Sequence, residues 1–130
     1  MLQRKTIIIT GGSSGMGLYM AKQFVTEGAN VVITGRNEER LAEAKKFIAE
    51  AGPSIETFQM DVRVPEHAEA MLAFAIEKFG QVDGLVNNAA GNFIVRAEDL
   101  SPNGWKAVVD ILLNGTFYCS SVVGKYWIEH

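Results

Sequence analysis

The sequence predicts an α/β protein, a doubly wound parallel sheet with helices on both faces, in three layers. Three observations predict it. Short apolar, β-branched runs alternate with longer stretches of helical periodicity along the 130 residues. The first run ends in a glycine-rich turn, Thr10-Gly11-Gly12-Ser13-Ser14-Gly15-Met16-Gly17, which leads directly into a helical stripe. Glycine follows the end of each of the first three helical stretches, where a left-handed residue stops a helix.

Residues 5–10 hold Ile7, Ile8 and Ile9 without polar alternation, as a parallel strand buried on both faces requires. Residues 15–27 place Met16, Met20, Phe24 and Val25 on a helical stripe, and Gly28 stops it. Residues 30–34 read as the second strand. Asn37 caps a helix reaching residue 51, with Leu41, Ala44 and Ile48 on one face and Gly52-Pro53 at its end. Residues 55–60 form the third strand. Pro65 opens a helix through Phe79, with Ala68, Met71, Leu72, Ala75 and Phe79 at helical spacing, and Gly80 closes it. Residues 84–87 are a short fourth strand. Ser101-Pro102 sets an N-cap before a proline at the first helical position, and the helical pattern then continues to His130.

Right-handed crossovers give the strand order 3-2-1-4. No stop signal ends the last helix, and a full doubly wound domain carries about six strands. The expectation is therefore the N-terminal, incomplete portion of a Rossmann-type domain, residues 1–130, truncated after the fourth strand and its long helix. The open sheet edge would lie beyond that strand.

Composition removes several function classes. With 12 basic and 15 acidic residues the formal net charge is -3, so there is no basic excess to neutralise nucleic-acid phosphates. The single cysteine, Cys119, lies in an apolar stretch and reads as a packing residue. Neither it nor His67 belongs to a cluster with metal-ligand spacing, so no metal is expected. The apolar run at residues 7–9 is too short for a signal peptide or a membrane span. A cytoplasmic protein without membrane or nucleic-acid partners is the expectation.

The glycine turn carries the strongest chemical signal. Gly11 permits a tight turn, Gly15 lets backbone approach a pyrophosphate, and Gly17 lets the helix pack closely. The helix start, with Ser13, Ser14 and Met16, offers free N–H groups and a positive dipole end to phosphates. At the end of the second strand an NAD site would carry a carboxylate for the ribose 2′-hydroxyl. Here stand Thr34-Gly35-Arg36-Asn37. Arg36 offers a planar fork for a 2′-phosphate, which favours NADP(H). Asp61-Val62-Arg63 follows the third strand, where a carboxylate is placed to accept from an adenine amino group. Asn87-Asn88-Ala89-Ala90-Gly91 follows the fourth: the asparagines can tie strand ends together, and the small residues leave room for a ribose.

Residues Thr10 to Gly17, Asp61 and Asn87 to Gly91 together resemble the short-chain dehydrogenases/reductases, and the resemblance spans the chain as about the N-terminal half of such an enzyme. It implies a catalytic group of Asn, Ser, Tyr and Lys, of which Asn114 in Leu112-Leu113-Asn114-Gly115-Thr116 matches the asparagine. No tyrosine has lysine four residues on: Tyr19 is followed by Gln23, Tyr118 by Val122 and Tyr126 by His130. The 130 residues alone are thus expected to be inactive.

A narrower resemblance rests on Asn87-Asn88-Ala89-Ala90-Gly91-Asn92-Phe93 and Leu100-Ser101-Pro102-Asn103-Gly104-Trp105-Lys106, which are similar to the 2,4-dienoyl-CoA reductases of fatty acid metabolism. It implies that Arg63, Phe93 and Ser101 hold an acyl-CoA substrate, with Arg36 nearby. It also implies a homo-oligomer, since the last helix of the family commonly lies at a subunit interface. Two alternatives stay open: a carbonyl reductase of the same family acting on a 3-oxoacyl, ketone or alcohol substrate, and a non-catalytic nucleotide-binding or oligomerising fragment.

Overall fold

Successive side chains of a strand point to opposite faces of its sheet, and the central strands of this protein divide their apolar residues on that rule. The computed structural model describes residues 2–90 and 95–130. In chain order these form β1 (Thr6–Ile9), α1 (Gly15–Thr26), β2 (Asn30–Gly35), α2 (Glu38–Ala49), β3 (Ile55–Gln59), α3 (Pro65–Phe79), β4 (Gly84–Val86), α4 (Pro102–Val109) and α5 (Gly115–Glu129). The sheet is parallel, in the order β3-β2-β1-β4. Ile8 of β1 stands between Val32 of β2 and Leu85 of β4.

On one face Ile7, Ile9, Val31 and Ile33 pack against Ala21 and Val25 of α1 and Leu41, Ala44 and Ile48 of α2. On the other, Ile8 and Val32 pack against Ala68, Met71 and Ala75 of α3 and Cys119 and Val123 of α5. The unbroken apolar runs of β1 and β2 are thereby explained, because both faces of each strand are covered. The expected three layers and strand order are those observed.

Helix ends follow the predicted chemistry. The Asn37 side chain accepts from the Arg40 amide at 3.0 Å, and Ser101 Oγ accepts from the Gly104 amide at 2.9 Å. Pro65 and Pro102 each occupy a first helical turn. Gly28 and Gly80 follow their helices at φ 90° and 84°.

One expectation is corrected. Periodicity predicts a single helix from residue 102 onward, but the structure has a π turn over Asp110–Asn114 between α4 and α5. A π turn inserts one residue into the helical ladder. Here it falls where the helix changes partners: α4 buries no residue, whereas α5 buries Gly115, Cys119 and Val123. Gly115 is seated against the loop after β3, where a Cβ would fall 2.8 Å from Val62 Cγ2. A short 3-10 turn, Ala97–Asp99, precedes α4 and was not expected from the sequence. Trp127 Nε1 donates to the Val82 carbonyl at 2.7 Å and ties the end of α5 to the approach to β4. The run Pro102–Glu129 has the length and apolar character that a membrane span would need; its buried positions pack on α3 and the sheet.

Candidate functional site

Four loops meet at the carboxyl ends of the strands, around a cavity of about 670 Å³. They follow β1, β2, β3 and β4, and Ile111 of the π turn completes the wall. In open parallel sheets this end, beside the point where strand order reverses, is where ligands bind.

The loops after β1 and β4 are built as one unit. Thr10 Oγ1 accepts from the backbone amides of Asn88 and Ala89, both at 3.1 Å. The Asn88 carboxamide donates to the Gly11 carbonyl at 3.0 Å. Gly11 sits at φ 67°, and a Cβ there would lie 2.8 Å from Ala89 Cα. A Cβ on Gly17 would strike the Asn88 carboxamide nitrogen. The glycines therefore serve the joint between the two loops as well as the turn itself. Asn87 reaches away to Ser120 Oγ of α5 at 3.0 Å.

The start of α1 is left open. Ser14 occupies its N-cap position in extended conformation, makes no side-chain cap bond, and no acidic residue lies in the first turn. The first amides of α1 thus keep their donors free for an anion. Gly11, Ser13 and Ser14 line the cavity. Gly15, Met16 and Gly17 continue into the helix, with Met16 exposed and a Cβ on Gly15 meeting open space.

At the end of β2 the cavity is lined by Thr34, Gly35, Arg36 and Asn37, and by Arg40 one turn into α2. Both arginines are exposed. Thr34 is buried, yet its hydroxyl has no hydrogen-bond partner among the described residues. A buried hydroxyl without a partner costs about 1–3 kcal/mol. Thr34→Val should therefore stabilise the nucleotide-free protein by about 1 kcal/mol. Denaturant unfolding would measure this, and a destabilised variant would mean that the hydroxyl is satisfied.

After β3, Asp61 and Arg63 are paired with each other. Arg63 donates from Nε at 2.9 Å to one Asp61 oxygen and from Nη2 at 2.6 Å to the other, and its amide donates to Oδ1 at 3.0 Å. These bonds, that of the Arg63 side chain foremost, lower the Asp61 pKa from 3.8 to about 2. The same pairing raises the Arg63 pKa. His67 accepts from the Asp61 amide at 3.0 Å. Asp61 and Val62 line the cavity. Arg63 lies beside it as the partner of Asp61.

A lowered carboxylate pKa stabilises the fold above the unfolded value and loses that contribution as pH falls through the folded one. The Asp61 contribution should hold at neutral pH and disappear between about pH 4 and about 2. Thermal melts from pH 6 to pH 2 should show Arg63→Gln losing less stability over that interval than the parent. Parallel curves would exclude the pair as a source of acid sensitivity.

Asn114, the last residue of the π turn, donates from Nδ2 to Asp110 Oδ1 at 2.9 Å. Ser101 caps α4 and lines a separate hollow of about 350 Å³ with Leu100 and Asn103. Gly91 and Phe93 lie outside the described residues. Ala89 and Ala90 line the main cavity, as does Asn88. Burial pushes the Cys119 thiol up to about 11, consistent with a packing residue.

Residues 5–130 match the short chain dehydrogenase family. The chain belongs to that family. It is 52% identical over 128 residues, 98% of this chain and 50% of the relative, to "Probable 2,4-dienoyl-CoA reductase [(2E)-enoyl-CoA-producing]" of Bacillus subtilis (strain 168). It is 43% identical over 132 residues, 100% of this chain and 45% of the relative, to "Peroxisomal 2,4-dienoyl-CoA reductase [(3E)-enoyl-CoA-producing]" of Rattus norvegicus. Among solved structures, a short chain dehydrogenase from Bacillus anthracis str. 'Ames Ancestor' superposes with a TM-score of 0.94 at 58% identity, covering 99% of this chain and 54% of that one. The chain spans about half the length of the curated relatives it matches.

Short chain dehydrogenases use nicotinamide cofactors, and the residues of this member fit one. The uncapped α1 start suits a pyrophosphate, and Thr34, whose buried hydroxyl has no partner among the described residues, is one of the residues around the cavity. Sequence reasoning missed Thr34, Gly35, Asn37, Arg40, Met60 and Ile111 as wall residues. Thr34, Gly35 and Asn37 flank Arg36 in the chain and were legible as its neighbours. Arg40, Met60 and Ile111 depend on how α2, the end of β3 and the π turn converge.

Proposed function

We propose that this chain is the nucleotide-binding portion of an NADPH-dependent 2,4-dienoyl-CoA reductase acting in fatty acid metabolism. The observation that carries the cofactor choice is the cavity wall at the end of β2, where Gly35 replaces a carboxylate and Arg36 and Arg40 both stand. Two guanidinium groups suit a 2′-phosphate, and no acid there repels it. The names of the most similar relatives support the substrate class.

In this reading the turn from Gly11 through Ser13, Ser14, Gly15, Met16 and Gly17 holds the pyrophosphate. Asp61 and Val62 face the adenine. Asn88, Ala89, Ala90 and Gly91 border a ribose. Arg63, Phe93 and Ser101 hold the acyl-CoA, and Arg63 would have to share its guanidinium between a CoA phosphate and Asp61. When bound, NADPH supplies a hydride to the far carbon of the conjugated diene. Electron density then moves to the thioester oxygen, and a proton is delivered to the carbon chain, so that one double bond is lost. Asn114 works beside a tyrosine supplied from outside these 130 residues, which alone bind nucleotide without turnover. The reading includes a cytoplasmic homo-oligomer, supported by the exposed Leu113 and Phe117 next to the buried face of α5.

The test is NADPH oxidation by the full-length protein with a 2,4-dienoyl-CoA and, separately, a 3-oxoacyl-CoA. Consumption with the dienoyl thioester and not the ketone is expected. Consumption with the ketone alone would replace the proposal by a carbonyl reductase.

A further inference from the structure

The stretch that carries Arg36 is held by its carbonyls. β2 ends at Gly35, and Asn37 already caps α2 by accepting from the Arg40 amide. Arg36 is the one residue between strand and cap. Three successive carbonyls here accept hydrogen bonds from other segments. The Gly12 amide donates to the Thr34 carbonyl at 3.1 Å, and the Met60 amide donates to the Gly35 carbonyl at 2.9 Å. Gln59 Nε2 donates to the Arg36 carbonyl at 3.0 Å.

The first two bonds run from main chain to main chain, and the sheet supplies them whatever the side chains are. The third comes from a side chain, so a single substitution can remove it. Gln59 stands in register with Gly35 across β2 and β3, and its carboxamide reaches the residue after that glycine. A carbonyl oxygen only accepts, so the end of the carboxamide that faces it is the nitrogen. Gln59 is exposed and is not one of the residues around the cavity. Its link to the cavity is the Arg36 backbone.

Among the described residues no carboxylate pairs with Arg36. The reach of its guanidinium is therefore set at the Cα end. A long side chain loses more freedom on binding when its backbone must be ordered as well. We infer that Gln59 is a positioning residue for cofactor choice: by holding the Arg36 carbonyl, it fixes the backbone from which Arg36 reaches the 2′-phosphate of NADPH. The inference rests on the proposed function for the ligand that Arg36 reads. A 2′-hydroxyl offers the guanidinium no charge, so NADH binding does not depend on the same bond.

The test is a double-mutant cycle in the full-length protein. Gln59→Met keeps the length of the side chain and removes the donor. Gln59→Thr, a residue suited to strands, removes the reach as well. NADPH and NADH are titrated by fluorescence into the parent, both variants, Arg36→Leu and the two double variants. Each Gln59 variant should weaken NADPH about three- to fivefold and leave NADH within about twofold. In the Arg36→Leu background the same substitutions should move NADPH by less than about twofold, because the group that Gln59 acts through is gone. A merely structural role would weaken both nucleotides alike, or would persist without Arg36; either result overturns the inference. A parent that binds NADH as tightly as NADPH would remove the cofactor reading and this inference with it. A parent that prefers NADPH, with Gln59 variants that keep the full preference, would remove the inference alone.

Discussion

Gly11→Ala should lose both the cofactor cavity and a large share of the protein's stability. Two separate penalties act at this position. Gly11 adopts φ 67°, in the left-handed region where a Cβ costs about 1–2 kcal/mol. The new Cβ would also lie 2.8 Å from Ala89 Cα and 3.2 Å from Ala89 N. Both are backbone atoms, held in place by Thr10 Oγ1 and by the Asn88 bond to the Gly11 carbonyl. Relief requires the loop after β4 to move, and the cavity wall moves with it. A loss of about 2–4 kcal/mol in unfolding free energy is expected, with NADPH binding weakened at least about a hundredfold.

Gly80→Ala isolates the two penalties. Gly80 has φ 84° but nothing within 4 Å of an added Cβ. It should lose only the backbone share, about 1–2 kcal/mol, with NADPH affinity unchanged. Denaturant melts and NADPH fluorescence titrations on the two variants make the comparison. Equal losses in both would show that the joint between the loops after β1 and β4 carries no energy of its own.

Gly35→Asp should reverse the cofactor preference. An added Cβ at Gly35 would meet Leu41 Cδ2 at 3.4 Å and Ser13 Oγ at 3.5 Å, which are ordinary contacts, so the site admits a side chain. The new carboxylate would stand at the end of β2, where it accepts from the 2′-hydroxyl of NADH and repels the 2′-phosphate of NADPH. NADPH affinity should fall on the order of a hundredfold or more, while NADH affinity rises. Arg36→Leu, which removes one fork without adding a charge, should weaken NADPH about tenfold and leave NADH unaffected. Titrating each variant with both nucleotides gives the ratios. A Gly35→Asp protein that still preferred NADPH would remove the end of β2 as the place where the 2′-phosphate is read.

Much of the fold was legible because its signals are local. The isoleucine run at residues 7–9 announces a strand covered on both faces, and β1 is such a strand. Asn37, Ser101 and Pro65 stand where helices begin, since the groups they cap or replace lie within one turn of them. The glycine turn was legible for a related reason, because its backbone geometry excludes other residues. In the candidate site, Arg36 and the residues after β4 were read from strand ends, and the cavity is lined by them.

Other features needed contacts between distant segments. Gly17 makes room for Asn88, 71 positions away by residue number. Arg63, which the resemblance assigns to an acyl-CoA substrate, is engaged by Asp61; spacing alone does not show that two residues in one loop will turn toward each other. The π turn left no mark in the helical periodicity, since it arises where α5 is seated on α3 and Gly115 on Val62.

The sequence by itself determined the order of elements, the parallel sheet, the position of the glycine-rich turn and the absence of an acid at the end of β2, because each is written in residues that act on their own backbone or on neighbours within a turn. Only the tertiary structure decided which hydroxyl stays without a partner, which charges neutralise each other and which side chain holds the Arg36 backbone. Those outcomes depend on distances between segments far apart in the chain, set by the packing of two helix layers on one sheet.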